Sequence, residues 1–103
     1  MTEATRAAWQ AALLGTVVSG TVTDEITGDT LAYSWVVDNV LWDGFSDRLR
    51  VVLNNGDGAY REFCFDGSEG TAAAIETMDA GLAAQAQATL ESERFADLAG
   101  EVL

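Results

Sequence analysis

The side chains able to do chemistry in this chain are a single thiol and a large number of carboxylates. Cys64 is the single cysteine, and the chain has no histidine. A cysteine nucleophile needs a nearby base or positive surroundings to stabilise its thiolate, whereas Glu62 and Asp66 stand close to Cys64 in sequence. Phe63 and Phe65 flank it, so we expect Cys64 to be a small buried strand residue. No catalytic residue is assigned, and we predict that the protein is not an enzyme.

The carboxylates carry no recognisable catalytic or metal-binding pattern. With 17 acidic residues among 103, close pairs arise by chance, and a glycosidase-like pair also needs a cleft and perturbed pKa values. The segments 43–47 and 54–58 hold oxygen ligands and glycines of the kind found in calcium loops, but they lack the EF-hand order. We therefore predict neither a metal nor a cofactor.

The charge is the strongest functional signal. Seventeen acidic residues oppose five arginines, lysine is absent, and the net charge is −12. Nucleic acids and anionic membranes require basic footprints, so we predict no direct binding to either. A protein partner with a basic surface is favoured. The acidity is equally consistent with adaptation to a salty cytoplasm, or with a genome composition that favours arginine over lysine.

One row of acidic residues has helical spacing. Glu93, Asp97 and Glu101 stand four residues apart and share one helical face. Like charges at this spacing cost about 0.2–0.5 kcal/mol per pair, so the row is either a solvated face or a surface that meets a basic partner. The predicted partner-binding residues are this row together with Asp24, Glu25, Asp29, Trp42 and Asp43.

The aromatic residues near position 43 also suggest an interface. Trp42 and Phe45 frame Asp43 and Gly44 in a predicted turn. Aromatic side chains beside carboxylates in a turn can anchor an interface. Packing of the two rings within the turn or against the core would account for the same segment.

The elements that position these residues follow from periodicity. A chain of this length predicts a single domain over residues 1–103. Helical spacing predicts a helix over residues 3–14, with Thr2 as N-cap and Gly15 at its end. Alternation predicts strands over 16–23, 30–42, 48–53 and 60–65. A change of phase predicts a bulge or bend at 36–39.

The remaining chain, residues 68–103, predicts a helical region. The turn signal at 54–58 joins two strands as a hairpin, so the sheet is a four-stranded antiparallel meander. The predicted fold class is α+β, with an N-terminal helix and a C-terminal helical region packed on one sheet face.

Two apolar stripes in this helical region differ in phase. We therefore expect a kink or a break between residues 80 and 92, or docking of the last stripe on another chain as a homodimer. The first stripe is Ile75, Met78 and Leu82, and the second is Phe95, Leu98 and Val102.

Targeting signals are absent from the sequence pattern. The sequence has no run of 18 apolar residues, so no transmembrane helix is predicted. The apolar segment 11–18 lacks the positive leader of a signal peptide, because Glu3 offsets Arg6. We therefore predict a cytoplasmic location.

In size and charge, the chain resembles small acidic phage-encoded inhibitors, including anti-CRISPR and anti-restriction proteins that present nucleic-acid-like surfaces. No motif accompanies this resemblance. It implies a non-enzymatic inhibitor that mimics DNA and blocks a basic nucleic-acid-binding site on a partner protein. The alternative is a small viral or halophilic structural protein that self-associates through its helices.

Overall fold

The computed structural model describes the backbone of residues 1–102 and the side chains of residues 1–96. Its four strands form one antiparallel sheet in the order β1-β2-β3-β4, which confirms the predicted α+β meander. The elements are α1 (Glu3–Leu13), β1 (Val17–Thr23), β2 (Thr30–Asp43), β3 (Arg48–Asn54), β4 (Tyr60–Phe65) and α2 (Thr71–Val102).

The first helix begins and ends where local chemistry directs. The Thr2 hydroxyl accepts a hydrogen bond from the Thr5 amide at 3.1 Å, which satisfies one of the free amides of the first turn. Gly15 follows the helix with a φ of 82°, a conformation that glycine adopts without steric cost. Trp9 and Leu13, four residues apart, are buried against the sheet. The N-cap and the stop therefore lie where the sequence predicted them.

The long strand β2 contains the predicted bulge. Its pairing with β3 shifts register between Val37 and Asn39. The extra residue changes the buried positions from odd-numbered, such as Val37, to even-numbered, such as Val40. Both halves of the strand therefore direct apolar side chains to the same core. The β1 strand pairs with the first half of β2, and β3 pairs with the second half.

Both helices pack on one face of the sheet, and the core lies between them and the strands. The opposite face is open to solvent. It carries exposed Val17, Leu41 and Tyr60. Cys64 is also exposed, so the expectation of a buried cysteine was wrong. Because side chains alternate along a strand, the burial of Phe65 turns the neighbouring Cys64 to the open face.

The predicted break in the C-terminal helical region is wrong, because α2 is one helix of 32 residues. Its core contacts repeat every fourth residue, and such a row is inclined to the helix axis and drifts by about 40° per step. A twisted sheet can follow that drift. Small side chains fill part of the row, so apolar bulk alone did not reveal it. The buried row is Ala74, Met78, Leu82, Ala86 and Leu90.

Gly81 of α2 lies against Phe63 of β4. A Cβ atom at this position would lie 2.8 Å from the Phe63 ring. The glycine therefore serves packing and not a break in the helix. Within residues 1–102, no helix is long and apolar enough to cross a membrane.

Candidate interaction surfaces

Asp24 organises the β1–β2 loop and joins it to α2. Its carboxylate accepts hydrogen bonds from the Ile26 amide at 2.9 Å and from the Arg94 guanidinium at 2.9 and 3.1 Å. Its backbone closes the loop, since the Asp24 amide donates to Asp29 at 2.8 Å and the Gly28 amide donates to the Asp24 carbonyl at 2.7 Å. The amide of Ile26 and the charge of Arg94 hold the pKa of Asp24 below its ordinary value.

Asp24 therefore occupies a structural position among the predicted partner-binding residues. It is only 2 % exposed, and Arg94 neutralises its charge at the surface of α2. The local signal was present in the sequence, because an aspartate two residues before a loop amide commonly forms such a turn. Its pairing with Arg94 joins positions 70 residues apart, which no local pattern reveals.

The rest of the β1–β2 loop presents an acidic surface. Glu25 and Asp29 are exposed, and Ile26 between them is 77 % exposed. Glu91 of α2 lines the same shallow hollow as Glu25 and Ile26. This cluster of Glu25, Ile26, Asp29 and Glu91 is called the acidic end. Charged groups around one exposed aliphatic side chain suit contact with a basic protein surface.

The predicted acidic row lies only partly within the described side chains. Glu93 is exposed and lines a different hollow, beside Thr89 and Ala96 of α2. Residues two apart on a helix point about 200° apart, so Glu93 and Glu91 lie on different flanks. The side chains of Asp97 and Glu101 lie outside the described residues, as do those of Leu98 and Val102.

Trp42 and Asp43 lie at the opposite end of β2 from the acidic end. Asp43 is the last residue of the 14-residue strand that begins at Thr30. At about 3.3 Å per residue, Thr30 and Asp43 are about 40 Å apart. The structure therefore separates the predicted partner-binding residues into two groups at the two ends of the molecule.

The β2–β3 turn, residues 43–47, is held by its own carboxylates. Asp43 accepts a hydrogen bond from the Phe45 amide at 2.9 Å and another from the Ser46 hydroxyl at 3.0 Å. These bonds hold the pKa of Asp43 below its ordinary value, so the carboxylate stays ionised. Asp47 takes a φ of 53°, which is uncommon for a residue other than glycine.

Contacts with the N-terminus, with Trp42 of β2 and with Arg6 of α1 support this turn. The Asp47 carboxylate accepts from the N-terminal amine at 2.7 Å and from the Trp42 indole nitrogen at 3.0 Å. The Arg6 guanidinium lies 4.4 Å from the centre of the Trp42 ring, a cation–π contact. Trp42 is thus partly committed to packing within the chain.

Phe45 stands out at the tip of this turn. Its side chain is fully exposed, with a relative exposure of 105 %. A large apolar ring without contacts gains nothing in stability from its position, yet the surrounding turn is closely hydrogen-bonded. Sequence reasoning placed Phe45 beside the predicted interface residues without including it among them. The turn signal of Asp43-Gly44 indicated the exposed position.

The arginines are mostly engaged within the chain. Arg50 forms a bidentate pair with Glu62 at 2.7 and 2.8 Å across β3 and β4, and Arg94 pairs with Asp24. The Arg61 guanidinium lies 5.0 Å from the Phe63 ring centre, and Arg6 covers Trp42. Four of the five arginines therefore have partners in their own chain.

The carboxylates remain largely unpaired by contrast. Among the described side chains, three carboxylates form ion pairs, those of Asp24, Asp47 and Glu62. Exposed carboxylates outside those pairs are distributed over both helices, strand β2 and the loops that follow β1, β3 and β4. They are Glu3, Glu25, Asp29, Asp38, Asp57, Asp66, Glu69, Glu76, Glu91 and Glu93.

The acidic side chains do not converge on a single point. Within the described residues, no three His, Cys, Asp or Glu side chains are placed to hold a metal ion. The resolved carboxyl pKa shifts are downward at Asp24, Asp43, Asp47, Glu62 and Asp66. A general acid at neutral pH needs an upward shift, so these groups are suited to act as charges and hydrogen-bond acceptors.

Comparisons with protein-family models, with curated proteins and with solved structures found no match.

Proposed function

We propose that this protein is a non-enzymatic binding protein that occupies a basic, nucleic-acid-binding site on a partner protein. The partner surface carries lysine or arginine side chains that otherwise hold phosphates. The acidic end, with Glu93, Asp97 and Glu101 on α2, forms the contact. The carboxylates compete with the nucleic acid as a DNA mimic, in the manner of an anti-CRISPR or anti-restriction inhibitor.

The observation that carries this proposal is that most arginines have partners within the chain, whereas most carboxylates do not. Four of the five arginines contact partners within the chain, whereas most carboxylates are exposed outside any described ion pair. The outer surface is consequently dominated by negative charge. Such a surface attracts basic partners over long range and mainly accelerates association.

The first experiment joins capture with competition. The immobilised protein is exposed to an extract of its source cells at low and at high ionic strength. Each captured protein is then purified and titrated with double-stranded DNA, with and without this protein. We expect a captured partner that binds DNA and releases it as this protein is added, with an affinity that falls steeply with salt. Salt-insensitive capture, or a partner that retains its DNA, contradicts the proposal.

A second candidate function is self-association through α2. Phe95 is 66 % exposed. The Arg94 guanidinium lies 5.7 Å from the centre of its ring. An exposed aromatic ring on a long helix favours an assembly role, viral or halophilic, in which two copies pair through Phe95, Leu98 and Val102. This interface is apolar, so its strength should change little with salt.

A further inference from the structure

The first half of β2 has a strand on one side only. The β1 strand pairs with β2 from Thr30 to Val36. The β3 strand joins the other side of β2 only from Val36 to Asp43. Within the described residues, residues 30–35 therefore form an open edge next to the point where β3 turns away.

In the described part of the chain, backbone groups at this edge lack hydrogen-bond partners. The Asp24 amide donates to Asp29 at 2.8 Å, and the Val37 amide donates to Thr16 at 2.9 Å. In an antiparallel pair, residue pairs that exchange hydrogen bonds alternate with pairs that do not. The bonds at Asp29 and Val37 therefore show that the odd-numbered residues of β2 direct their amides and carbonyls toward β1. The amides and carbonyls of Ala32 and Ser34 then point to the open edge. Across the described residues, no hydrogen bond from another element reaches them.

The open edge forms one wall of a cleft of about 290 Å³. Its α2 wall presents the exposed side chains of Gln85 and Thr89, and Leu82, Ala86 and Trp35, which also line it, are almost fully buried. The β3–β4 loop closes one side and contributes Asp57. Among the described side chains, Arg61 stands next to the cleft, where its guanidinium donates a hydrogen bond to the lining residue Gln85. This loop is held in place, because the Asn55 side chain accepts from the Asp57 amide at 2.9 Å.

We propose that this cleft binds an extended cationic segment of a partner protein, which adds a strand to the open edge of β2. The free amides and carbonyls of Ala32 and Ser34 supply the main-chain hydrogen bonds. Alternate side chains of the added strand face Gln85 and Thr89 of α2, and the intervening basic side chains meet the field of Asp57 and of the acidic surface. A second copy of this chain fits less well, because two molecules of charge −12 repel.

This inference goes beyond the proposed function, since it uses main-chain groups and requires no competition with nucleic acid. Its test uses a synthetic peptide of alternating lysine and valine. About seven residues suffice to span residues 30–35 at ~3.3 Å per residue. Binding to the isotope-labelled protein is followed by NMR. We expect shifts and slower hydrogen exchange at the Ala32 and Ser34 amides.

Two control peptides separate main-chain recognition from charge attraction. A peptide with alternate backbone nitrogens methylated keeps the charge but loses donors, and we expect it to bind at least about tenfold more weakly. A peptide with glutamate in place of lysine should not bind. Equal binding by the methylated peptide, or shifts confined to the acidic end, would overturn the proposal.

A matched pair of protein variants tests the edge directly. Ser34→Pro removes an amide from the open edge of β2. Ser19→Pro removes one from the outer edge of β1, because Ser19 lies opposite Ser34 in a pair that is not hydrogen-bonded. We expect only Ser34→Pro to lose the peptide, with folding checked by thermal unfolding. Where a variant does not fold, the methylated peptide on the unaltered protein decides.

The same spectra detect a second copy at this edge. If the Ala32 and Ser34 amides shift with protein concentration in the absence of peptide, the occupant is another copy of the chain, and the assignment to a cationic partner is wrong. Failure of the peptide experiment leaves the capture and DNA-competition experiment unaffected. The two proposals therefore fail separately.

Discussion

Single residues in this protein have roles that their type alone does not reveal. Asp24 is an acidic residue of a strongly acidic chain, yet it serves as a buried acceptor between a loop and a helix. Gly81 resembles a helix breaker, yet it makes room for the Phe63 ring. In both cases the partner lies far away in sequence, so the role depends on the tertiary contact.

The Gly81→Ala variant tests the close approach of α2 to β4. The new Cβ atom would lie 2.8 Å from the Phe63 ring, and overpacking of this kind costs about 1–3 kcal/mol. Alanine recovers about 1 kcal/mol of helix propensity. We expect a net loss of up to about 2 kcal/mol in the free energy of unfolding, measured by urea denaturation. Combining the change with Phe63→Leu should recover part of the loss, and a stabilised single variant contradicts the assignment.

The Asp24→Asn variant tests the lowered pKa of Asp24. A carboxyl group whose pKa is lower in the folded state than in the unfolded state stabilises the folded protein. That contribution is complete when the pH is above the pKa of the unfolded chain, about 3.9. That stability is lost as the pH falls through the lower folded pKa. We expect the variant to be less stable than the original at neutral pH and less sensitive to acid. Equilibrium unfolding from neutral pH to about pH 2 measures both effects; equal acid sensitivity would show that Asp24 does not contribute.

At the scale of elements, the β2–β3 hairpin combines a closely bonded turn with a fully exposed ring. The Phe45→Ala variant separates stability from binding. Because the ring makes no contacts, we expect its removal to change the free energy of unfolding by less than about 0.5 kcal/mol. If Phe45 anchors an interface, the affinity for the captured partner falls. Tyr60→Ala, which removes another exposed ring from the open sheet face, is the control; equal effects of the two changes would remove any special role of the turn.

The C-terminal part of α2 carries the acidic row. Glu93→Gln, Asp97→Asn and Glu101→Gln together should weaken partner binding, mainly through slower association. The same change should stabilise the protein slightly, by about 0.2–0.5 kcal/mol for each like-charge pair relieved. Surface plasmon resonance at two ionic strengths and thermal unfolding measure the two effects.

A matched triple variant controls for net charge. Glu3→Gln, Glu69→Gln and Glu76→Gln remove three exposed carboxylates near the start of the two helices, at the other end of the molecule. If this variant weakens binding as much as the α2 triple variant, total charge and not the acidic row controls the affinity. If neither variant changes binding and the affinity is independent of salt, the acidity serves only solvation.

At the scale of the whole molecule, an elongated shape separates two candidate surfaces. The chain extends over 58 Å in one direction and 24 and 23 Å in the others. The acidic end lies at one end of β2 and the Phe45 turn at the other. A single small partner site therefore meets one end at a time, which makes the effects of the two sets of substitutions separable.

The oligomeric state decides between the inhibitor and the assembly function. If the end of α2 joins two copies, the unaltered protein is a dimer by light scattering, and Leu98→Asp converts it to a monomer because it places a charge in an apolar interface. If both proteins are monomers of equal stability, self-association through Phe95, Leu98 and Val102 is wrong.

Local signals in the sequence specify the order and nature of the elements, because capping, alternation and turn chemistry act over a few residues. Thr2 and Gly15 bound α1, the phase change at residues 36–39 marks the bulge, and the net charge follows from composition. Among the alternatives for the C-terminal helical region, the break into two helices was wrong. The reasoning from two apolar stripes assumed that the helix packs on a flat surface, and it overlooked the buried alanines. Only the tertiary structure paired Arg94 with Asp24, left Phe45 exposed and opened the edge of β2. Each of these depends on which distant segments meet, and that is decided by the packing of the whole chain.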